Sequence, residues 1–378
     1  MHAPGQDQAF REAAELDGAC RGEGISSAYQ PIIDTVRGSV VGYEALVRFP
    51  GYEEKNPEAW FARARREGRD AELEAAALRS AFAHRAGLPG NCFLTVNVSP
   101  HLLPSPVVRD VWVEQGNLGG VIVELTEQTP IDSYLQLEPH LNALRSAGAL
   151  IAVDDAGSGY AGLQHLLALR PAMIKVDREL VRGIDTDEAK RALIEMLGLF
   201  AGRVDAWLLA EGIERVEELD ALAALGVPLV QGYLLGRPAP PWSTLDVDLA
   251  LRLSASPRST SSQTVRGVVE PAATAPSPAG AAALFAANPL LADVVLLDGR
   301  RPVAVLPEEA ARLGVVTPGL VVNVDTPIGE ALSRAITRDS SARFAPLLVT
   351  DNAGRFVGLA RMERLIGRIA GTPHVPAA

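Results

Sequence analysis

The sequence predicts an α/β fold, in which a barrel of mostly parallel strands precedes a smaller domain. Between residues 25 and 240, eight short apolar runs alternate with longer segments rich in Ala, Leu, Arg and Glu. This alternation is typical of repeated β-α units and a parallel sheet, and eight strands within about 215 residues suit a barrel. From residue 254 to 280 the chain becomes rich in Ser, Thr, Pro and Ala, which indicates a linker into a second unit.

The predicted strands are the apolar runs at 25–33, 39–47, 92–98, 120–126, 150–155, 172–177, 206–212 and 228–233. We therefore expect five segments: a helical lead-in (1–24), the barrel (25–250), a linker (251–263), a second domain (264–372) and a tail (373–378). In the second domain, ADVVLLD followed by RPVAVL is similar to APLLVTD followed by RFVGLA, 53 or 54 residues later. Two copies at this period suggest a paired β-α module.

Composition excludes several classes of protein. The chain of 378 residues has 48% hydrophobic and 21% charged residues, which is ordinary globular usage. Its formal charge of -11 argues against binding a nucleic acid polymer. Its two cysteines form no C-x-x-C pair, which fits a reducing compartment. We expect a cytoplasmic protein, since neither a signal peptide nor an uncharged apolar run of about 18 residues is present.

Polar side chains recur late in the predicted strands, or just after them. They are Glu44, Asn97, Glu124, Asp154, Asp155, Lys175, Glu211 and Gln231. Such positions converge on one face of a parallel barrel, where active sites form. Gathered carboxylates need a cation, and hard divalent ions with oxygen ligands, Mg²⁺ or Mn²⁺, are suitable. The adjacent acids Asp154 and Asp155 allow two metals in one site. The alternative for any single acid is a helix cap or a solvent-facing side chain.

Other chemistries have little support. The six histidines show no ligand spacing, which argues against zinc, and no G-x-S-x-G elbow is present. Residues 157–162 match G-x-G-x-x-G between a predicted strand and a helix, with Asp177 ending the next strand. That is the outline of a dinucleotide site. The acid pair just upstream would repel a pyrophosphate, so a tight glycine loop near a metal site is favoured.

Eight motifs, in this order and spacing, resemble the EAL-domain phosphodiesterases of bacterial second-messenger signalling. They are Tyr-Gln-Pro (29–31), Glu-Ala-Leu-Val-Arg (44–48), Asn-Val-Ser (97–99), Glu-Leu-Thr-Glu (124–127), Asp-Asp-Ala-Gly-Ser-Gly (154–159), Lys-Val-Asp (175–177), Ala-Glu-Gly-Ile-Glu (210–214) and Gln-Gly-Tyr (231–233). The resemblance implies a modified TIM (β/α)8 barrel that hydrolyses cyclic di-GMP to linear pGpG with two Mg²⁺ or Mn²⁺ ions.

The resemblance also implies roles for individual residues. The metal ligands would be Glu44, Asn97, Glu124, Asp154 and Asp155, and the catalytic residues Lys175 and Glu211. The substrate-binding residues would be Gln30, Arg48, Asp177 and Gln231, and Glu127 would support the loop after Asp155. The loop has Ala156 and Ser158 where many relatives have Phe and Thr, and no metal ligand is altered.

The C-terminal repeat resembles a degenerate pair of CBS modules, in a smaller α+β domain. CBS modules often bind adenosine nucleotides, and the alternative is a structural or dimerising appendage without a ligand. We expect a homodimer with cyclic di-GMP as its partner and no membrane contact. Two alternatives to the phosphodiesterase stay open: a catalytically silent cyclic di-GMP receptor that signals through the C-terminal domain, and a barrel enzyme of other chemistry.

Overall fold

The computed structural model describes residues 13–49, 57–125, 134–154, 166, 168–169, 171–204, 206–254, 264–338 and 342–369. Contacts divide the chain into two units, Met1–Gly198 with Ala206–Ser254, and Leu199–Asp205 with Ala255–Ala378. In the part of the chain that the structure describes, no helix is both long enough and apolar enough to span a membrane.

The first unit is a closed barrel of eight strands, as the sequence predicts. They are β1 (Ser26–Asp34), β2 (Ser39–Arg48), β3 (Phe93–Val98), β4 (Val121–Leu125), β5 (Leu150–Val153), β6 (Met173–Val176), β7 (Trp207–Ala210) and β8 (Leu229–Val230). Neighbours from β2 to β8 are parallel, whereas β1 is antiparallel to both β2 and β8. The first half of β1 therefore lies beside the end of β2, with Gln30 opposite Glu44.

Local chemistry explains the reversed first strand. The carboxylate of Asp34 accepts hydrogen bonds from the main-chain N–H groups of Val36 and Arg37, at 2.8 and 3.0 Å. Such a turn, in which a side chain replaces a main-chain acceptor, reverses the chain within a few residues. Gly38 completes it with a φ of 60°, which favours glycine. A tight hairpin consequently joins β1 and β2, where every other barrel connection is a longer crossover.

Helices surround the barrel. The described ones are α1 (13–20), α2 (Pro57–Arg66), α3 (Asp70–Phe82), α4 (Pro106–Gln115) and α5 (Tyr134–Ser146), followed by Arg178–Val181, Glu188–Val204, Val216–Leu225 and Val247–Ser254. Helix α3 packs against β1, β2 and β3. The last of these helices ends at Ser254, four residues past the predicted end of the barrel at 250.

An apolar layer fills the barrel interior, so the barrel is a packed core and not a pore. Its members come from all eight strands: Ile32, Val41, Phe93, Ile122, Ala152, Met173, Leu209 and Leu229. The polar residues of β2, β3, β4 and β6 follow these apolar residues along each strand. They therefore lie toward the carboxyl ends of the strands, where barrel enzymes carry their sites.

The chain after β8 returns to the first strand. Tyr29 and Ala239 exchange two main-chain hydrogen bonds, at 2.7 and 3.1 Å. The Trp242 ring lies 4.6 Å from the Tyr29 ring and 4.9 Å from the Tyr43 ring, between centroids. Tyr43 Oη donates a 2.7 Å hydrogen bond to the main-chain carbonyl of Ser243. This segment fastens the end of the barrel sequence to β1 and β2.

The second unit contains a repeated β-α-β-β-α arrangement. Its strands are β9 (Val269–Glu270), β10 (Ala273–Ala275), β11 (Val294–Asp298), β12 (Arg301–Leu306), β13 (Val321–Asn323), β14 (Leu347–Thr350) and β15 (Phe356–Ala360). They form two sheets, in the orders β10-β11-β12 and β13-β14-β15-β9. The helices are Pro278–Ala287, Glu308–Leu313, Ile328–Ile336 and Met362–Ile369. The four apolar runs of the predicted repeat form the hairpins β11-β12 and β14-β15.

Part of the Ser/Thr/Pro/Ala-rich stretch at 254–280 is folded, contrary to its composition. It includes β9, β10 and the start of the helix Pro278–Ala287. Ser277 begins that helix, because its hydroxyl accepts a hydrogen bond from the main-chain N–H of Gly280 at 3.1 Å. Pro278 at the first helical position adds a favourable start. Turn-forming composition thus marks a helix start here.

A substitution at Gly42 tests the packing of the barrel interior. A Cβ atom at Gly42 would lie 2.3 Å from the ring of Phe93 on the neighbouring strand. We expect Gly42→Ala to lower the free energy of unfolding by about 1–3 kcal/mol, because the ring must leave its rotamer. Urea unfolding measures this loss. Adding Phe93→Leu should recover part of it, since the two positions contact each other. Additive effects of the two substitutions would contradict this packing.

Candidate active site

The buried ammonium group of Lys175 lies at the centre of the site. Lys175, on β6, is 2% exposed, and its Nζ contacts carboxylates from four other strands or their ends. The distances are 2.7 Å to Glu124 Oε2, 2.8 Å to Glu211 Oε1, 3.4 Å to Asp154 Oδ1 and 3.6 Å to Glu44 Oε1. One cation therefore holds together the ends of β2, β4, β5 and β7.

A second group of contacts links three amides to this cluster. Asn97 Nδ2 donates to Glu44 Oε1 at 3.0 Å, and Gln231 Nε2 donates to Glu44 Oε2 at 2.8 Å. Gln231 Nε2 also lies 3.1 Å from Gln30 Oε1. Gln30 Nε2 in turn donates to the main-chain carbonyl of Gly236 at 2.9 Å. Both oxygens of Glu44 thus accept from amides, which fixes this carboxylate beside Lys175.

Burial and charge set the protonation of the cluster. Burial raises the pKa of Glu124 to about 8, while Lys175 lowers it, and Glu44 and Asp154 raise it further. Burial likewise raises the pKa of Glu211 well above its usual range, against the effect of Lys175. The surrounding carboxylates outweigh burial at Lys175 and raise its pKa. The ammonium group therefore keeps its charge, and Glu124 and Glu211 hold their protons more tightly than exposed acids do.

The donor set fits a hard divalent cation. Carboxylate and amide oxygens are the ligands that Mg²⁺ and Mn²⁺ prefer. Glu124 Oε1 is buried and accepts no hydrogen bond from the described residues, so it is available to a cation. Within those same ranges, no three His, Cys, Asp or Glu side chains converge closely enough to hold a metal ion. In this structure the carboxylates converge on Nζ of Lys175 instead.

The other predicted site residues are placed differently. Arg48, at the end of β2, directs its Nη1 to the main-chain carbonyls of Leu46 and Val47, at 3.3 and 3.0 Å. Asp177 caps the helix Arg178–Val181, since its carboxylate accepts from the main-chain N–H of Glu179 at 3.3 Å. Asp155 and Glu127 lie outside the described residues. The structure thus brings together Gln30, Glu44, Asn97, Glu124, Asp154, Lys175, Glu211 and Gln231.

Two buried acids outside the cluster around Lys175 are absent from the sequence prediction. Glu74, on α3, is 4% exposed and accepts from the main-chain N–H and the hydroxyl of Ser99, at 2.8 and 3.3 Å. Glu218 is 3% exposed and accepts from the main-chain N–H groups of Gly183, Glu214 and Arg215, at 3.0–3.2 Å. The sequence contains one signal, because Glu74 shares a helix face with the buried residues Leu78 and Ala81.

Family comparison identifies the barrel. The model of the EAL domain matches residues 13–238, which is more than half of the chain. The chain therefore belongs to the EAL domain family. This match covers the closed barrel and every predicted site residue.

The similar proteins include one named as a phosphodiesterase and one named as an antirepressor. The cyclic di-GMP phosphodiesterase NbdA of Pseudomonas aeruginosa is 30% identical over 261 residues, which are 66% of this chain and 33% of NbdA. The blue light- and temperature-regulated antirepressor BluF of Escherichia coli is 27% identical over 233 residues, 59% of this chain and 57% of BluF. The chain spans about a quarter to a third of the length of the first curated relatives that it matches.

A solved structure agrees with the barrel. BlrP1 of Klebsiella pneumoniae, in its manganese/cy-diGMP complex, is 33% identical with a TM-score of 0.52. The match covers 58% of this chain and 57% of that one.

The buried carboxyl group of Glu74 makes the stability of the fold depend on pH. Burial raises its pKa from 4.5 to about 7, against the hydrogen bonds from Ser99. The folded state consequently binds this proton more tightly than the unfolded state. The contribution of protonated Glu74 to the free energy of unfolding is complete below about pH 4.5. It is lost as the pH rises through about 7. Glu74→Gln removes this loss, so its unfolding free energy relative to wild type should rise by about 3 kcal/mol between pH 4.5 and pH 8.

Urea unfolding across this pH range measures the difference between the two proteins. The matched control is Glu195→Gln, because Glu195 is an exposed helical glutamate. Its unfolding free energy should follow that of wild type at every pH. Parallel curves for Glu74→Gln and wild type would show that the buried carboxylate does not titrate in this range.

Proposed function

We propose that the protein hydrolyses cyclic di-GMP to linear pGpG with the help of divalent cations. The observation that carries this proposal is the cluster of four carboxylates and Asn97 around the buried Lys175. An acidic, largely desolvated cluster at a barrel mouth suits a phosphodiester only when cations neutralise it. Membership of the EAL family, and relatives named for this phosphodiesterase activity, support the same reaction.

The cations would be held by oxygen ligands. Glu44, Asn97, Glu124 and Asp154 hold the first Mg²⁺ or Mn²⁺, and Asp154 with Asp155 hold a second. Bound there, such ions neutralise the attacked phosphate and lower the pKa of bound water. The orphan Oε1 of Glu124 supports this assignment, because a buried acceptor without a donor is costly. Glu127 supports the loop that begins at Asp155.

The chain's own groups supply orientation and proton transfer. Lys175 Nζ orients the attacking water and stabilises negative charge at the phosphate. Glu211 acts as the general base: its Oε1 lies 2.8 Å from Lys175 Nζ, and burial raises its pKa, which makes its carboxylate a stronger base. The water oxygen forms a bond to phosphorus while Glu211 takes its proton, the bond from phosphorus to the ribose oxygen breaks, and that oxygen takes up a proton from solvent. Gln30, Arg48, Asp177 and Gln231 contact the substrate.

A second candidate function is a cyclic di-GMP receptor without catalysis. The similarity to BluF, which is described as an antirepressor, favours keeping it. Every acid that the reaction requires is present in this sequence, which favours the enzyme.

The second unit would act separately from the reaction. Its repeated β-α-β-β-α order supports a degenerate CBS pair, with an adenosine nucleotide as the class of ligand to test. All residues assigned to the reaction precede Ser254, so this unit tunes or assembles the barrel. A homodimer in the cytoplasm is the assembly we propose.

Incubating the purified protein with cyclic di-GMP tests the proposed reaction. We expect pGpG to form with Mg²⁺ or Mn²⁺, and Ca²⁺ to inhibit, because its longer and looser coordination positions water poorly. Product separation by chromatography measures both. Glu44→Ala should abolish turnover and serves as the control for contaminating activity. Tight binding of cyclic di-GMP without any pGpG in Mn²⁺ would establish the receptor instead.

Truncation after Ser254 tests the independence of the barrel. The first unit closes its barrel and its return segment before this residue. We therefore expect the truncated protein to unfold cooperatively and to retain turnover. A folded but inactive truncated protein would show that the second unit completes the active site.

A separate measurement tests the second unit as a nucleotide-binding module. It compares the turnover of the full chain with and without ATP, ADP, AMP or S-adenosylmethionine.

A further inference from the structure

Helix α3 lies behind the strands that bring Gln30, Glu44 and Asn97 to the site. It packs against β1, β2 and β3. Tyr29 Oη of β1 donates to the main-chain carbonyl of Ala81 at 3.1 Å, and Ser27 and Ser80 share a hydrogen bond at 2.9 Å. These contacts involve β1, at the far end of the helix from Glu74. At the other end of α3, Glu74 contacts Ser99, the residue that follows β3.

The end of β3 is held unequally by its two neighbours. Pairing with β2 ends at Val96, opposite Ala45, whereas pairing with β4 continues to Val98, opposite Leu125. In the described strands, the main chain at Asn97 therefore pairs with β4 but not with β2. On the other side its Nδ2 reaches Glu44 Oε1, so the orientation of its amide depends on where the strand end lies.

Glu74 holds the chain just after β3, where pairing with β2 has ended. Its Oε1 accepts from the N–H of Ser99 at 2.8 Å, and its Oε2 lies 3.3 Å from Ser99 Oγ. Ser99 follows Asn97 by two residues, with the fully buried Val98 between them. Both oxygens of a rigidly placed carboxylate thus hold the strand just beyond Asn97.

Packing alone does not require an acid at this position. Glu74 shares its helix face with Leu78 and Ala81, and an apolar side chain of similar size would fill the same space. A buried carboxylate is costly, and it persists where its acceptors are needed. The acceptors here serve one residue, Ser99, which begins the loop after β3.

We propose that Glu74 is a positioning residue for the cation site. By fixing the main chain at Ser99, it sets the orientation of Asn97, whose Nδ2 is engaged by Glu44 and whose Oδ1 is the group offered to a divalent cation. This inference rests on the proposed function, in which Asn97 is a cation ligand.

The test measures Mn²⁺ binding to the full-length protein without nucleotide, by calorimetry and by electron paramagnetic resonance of free Mn²⁺. Glu74→Leu keeps the volume and the helix but removes both acceptors. We expect it to weaken Mn²⁺ binding by about 10–100-fold, as loss of outer support for a metal ligand does. Glu74→Gln keeps an acceptor for the Ser99 N–H and should bind Mn²⁺ as wild type does.

The matched control is His101→Ala. His101 Nε2 lies 3.2 Å from Asp70 Oδ2, so it joins the same loop to the same helix near the surface. Its removal should leave Mn²⁺ binding unchanged. A kinetic readout accompanies the binding: the Mn²⁺ concentration for half-maximal turnover should rise in Glu74→Leu, while turnover at saturating Mn²⁺ stays close to wild type.

Glu74→Leu with wild-type Mn²⁺ affinity and a lower unfolding midpoint would overturn the inference, since Glu74 would then be structural only. Should Glu74→Leu not fold, Glu74→Met, which also removes both acceptors from Ser99, reports on the same contact. Several-fold weaker Mn²⁺ binding supports the inference, and unchanged binding overturns it. A wild type that binds Mn²⁺ without producing pGpG would refute the proposed function alone, and the comparison of Mn²⁺ affinities would still decide the role of Glu74. A wild type that binds no Mn²⁺ would refute both.

Discussion

One buried ammonium group among four carboxylates is the constraint on which the barrel mouth depends. Without Nζ of Lys175, the acids of β2, β4, β5 and β7 would repel one another across a poorly solvated space. Their approach also requires a closed barrel, since the strands that carry them are not all neighbours. The apolar layer beneath the site and the polar cluster above it are therefore coupled: the first closes the sheet, and the second compensates for the charges that closure brings together.

The strands could be predicted because strands of a parallel barrel are buried on both faces and read as apolar runs. All eight runs are strands, and the described polar residues late in them converge, whereas Asp155 lies outside the described residues. The direction of β1 could not be read from its run, because an apolar pattern is the same in both directions. Strands such as β9 and β10, of two and three residues, are too short to show a period.

Glu74 shows a different limit of sequence reasoning. In the segment ELEAAALRSAF, Glu74 follows Leu73 and precedes three alanines, and a glutamate within a helix is ordinarily exposed to solvent. What buries Glu74 is the strand end at Ser99, 25 residues further along the chain. The helix face that Glu74 shares with Leu78 and Ala81 indicates burial, but the partner at Ser99 is set by how α3 packs on the barrel. The same holds for Glu218, whose acceptors bind loops from two different crossovers.

The return segment after β8 has a consequence for synthesis on the ribosome. Tyr29 and Tyr43, among the first residues of the barrel, are packed against Trp242 and bonded to Ala239 and Ser243. The first hairpin thus gains its full set of native neighbours only after almost the whole first unit has left the exit tunnel. On the ribosome, the barrel cannot close until β8 and this return segment have emerged.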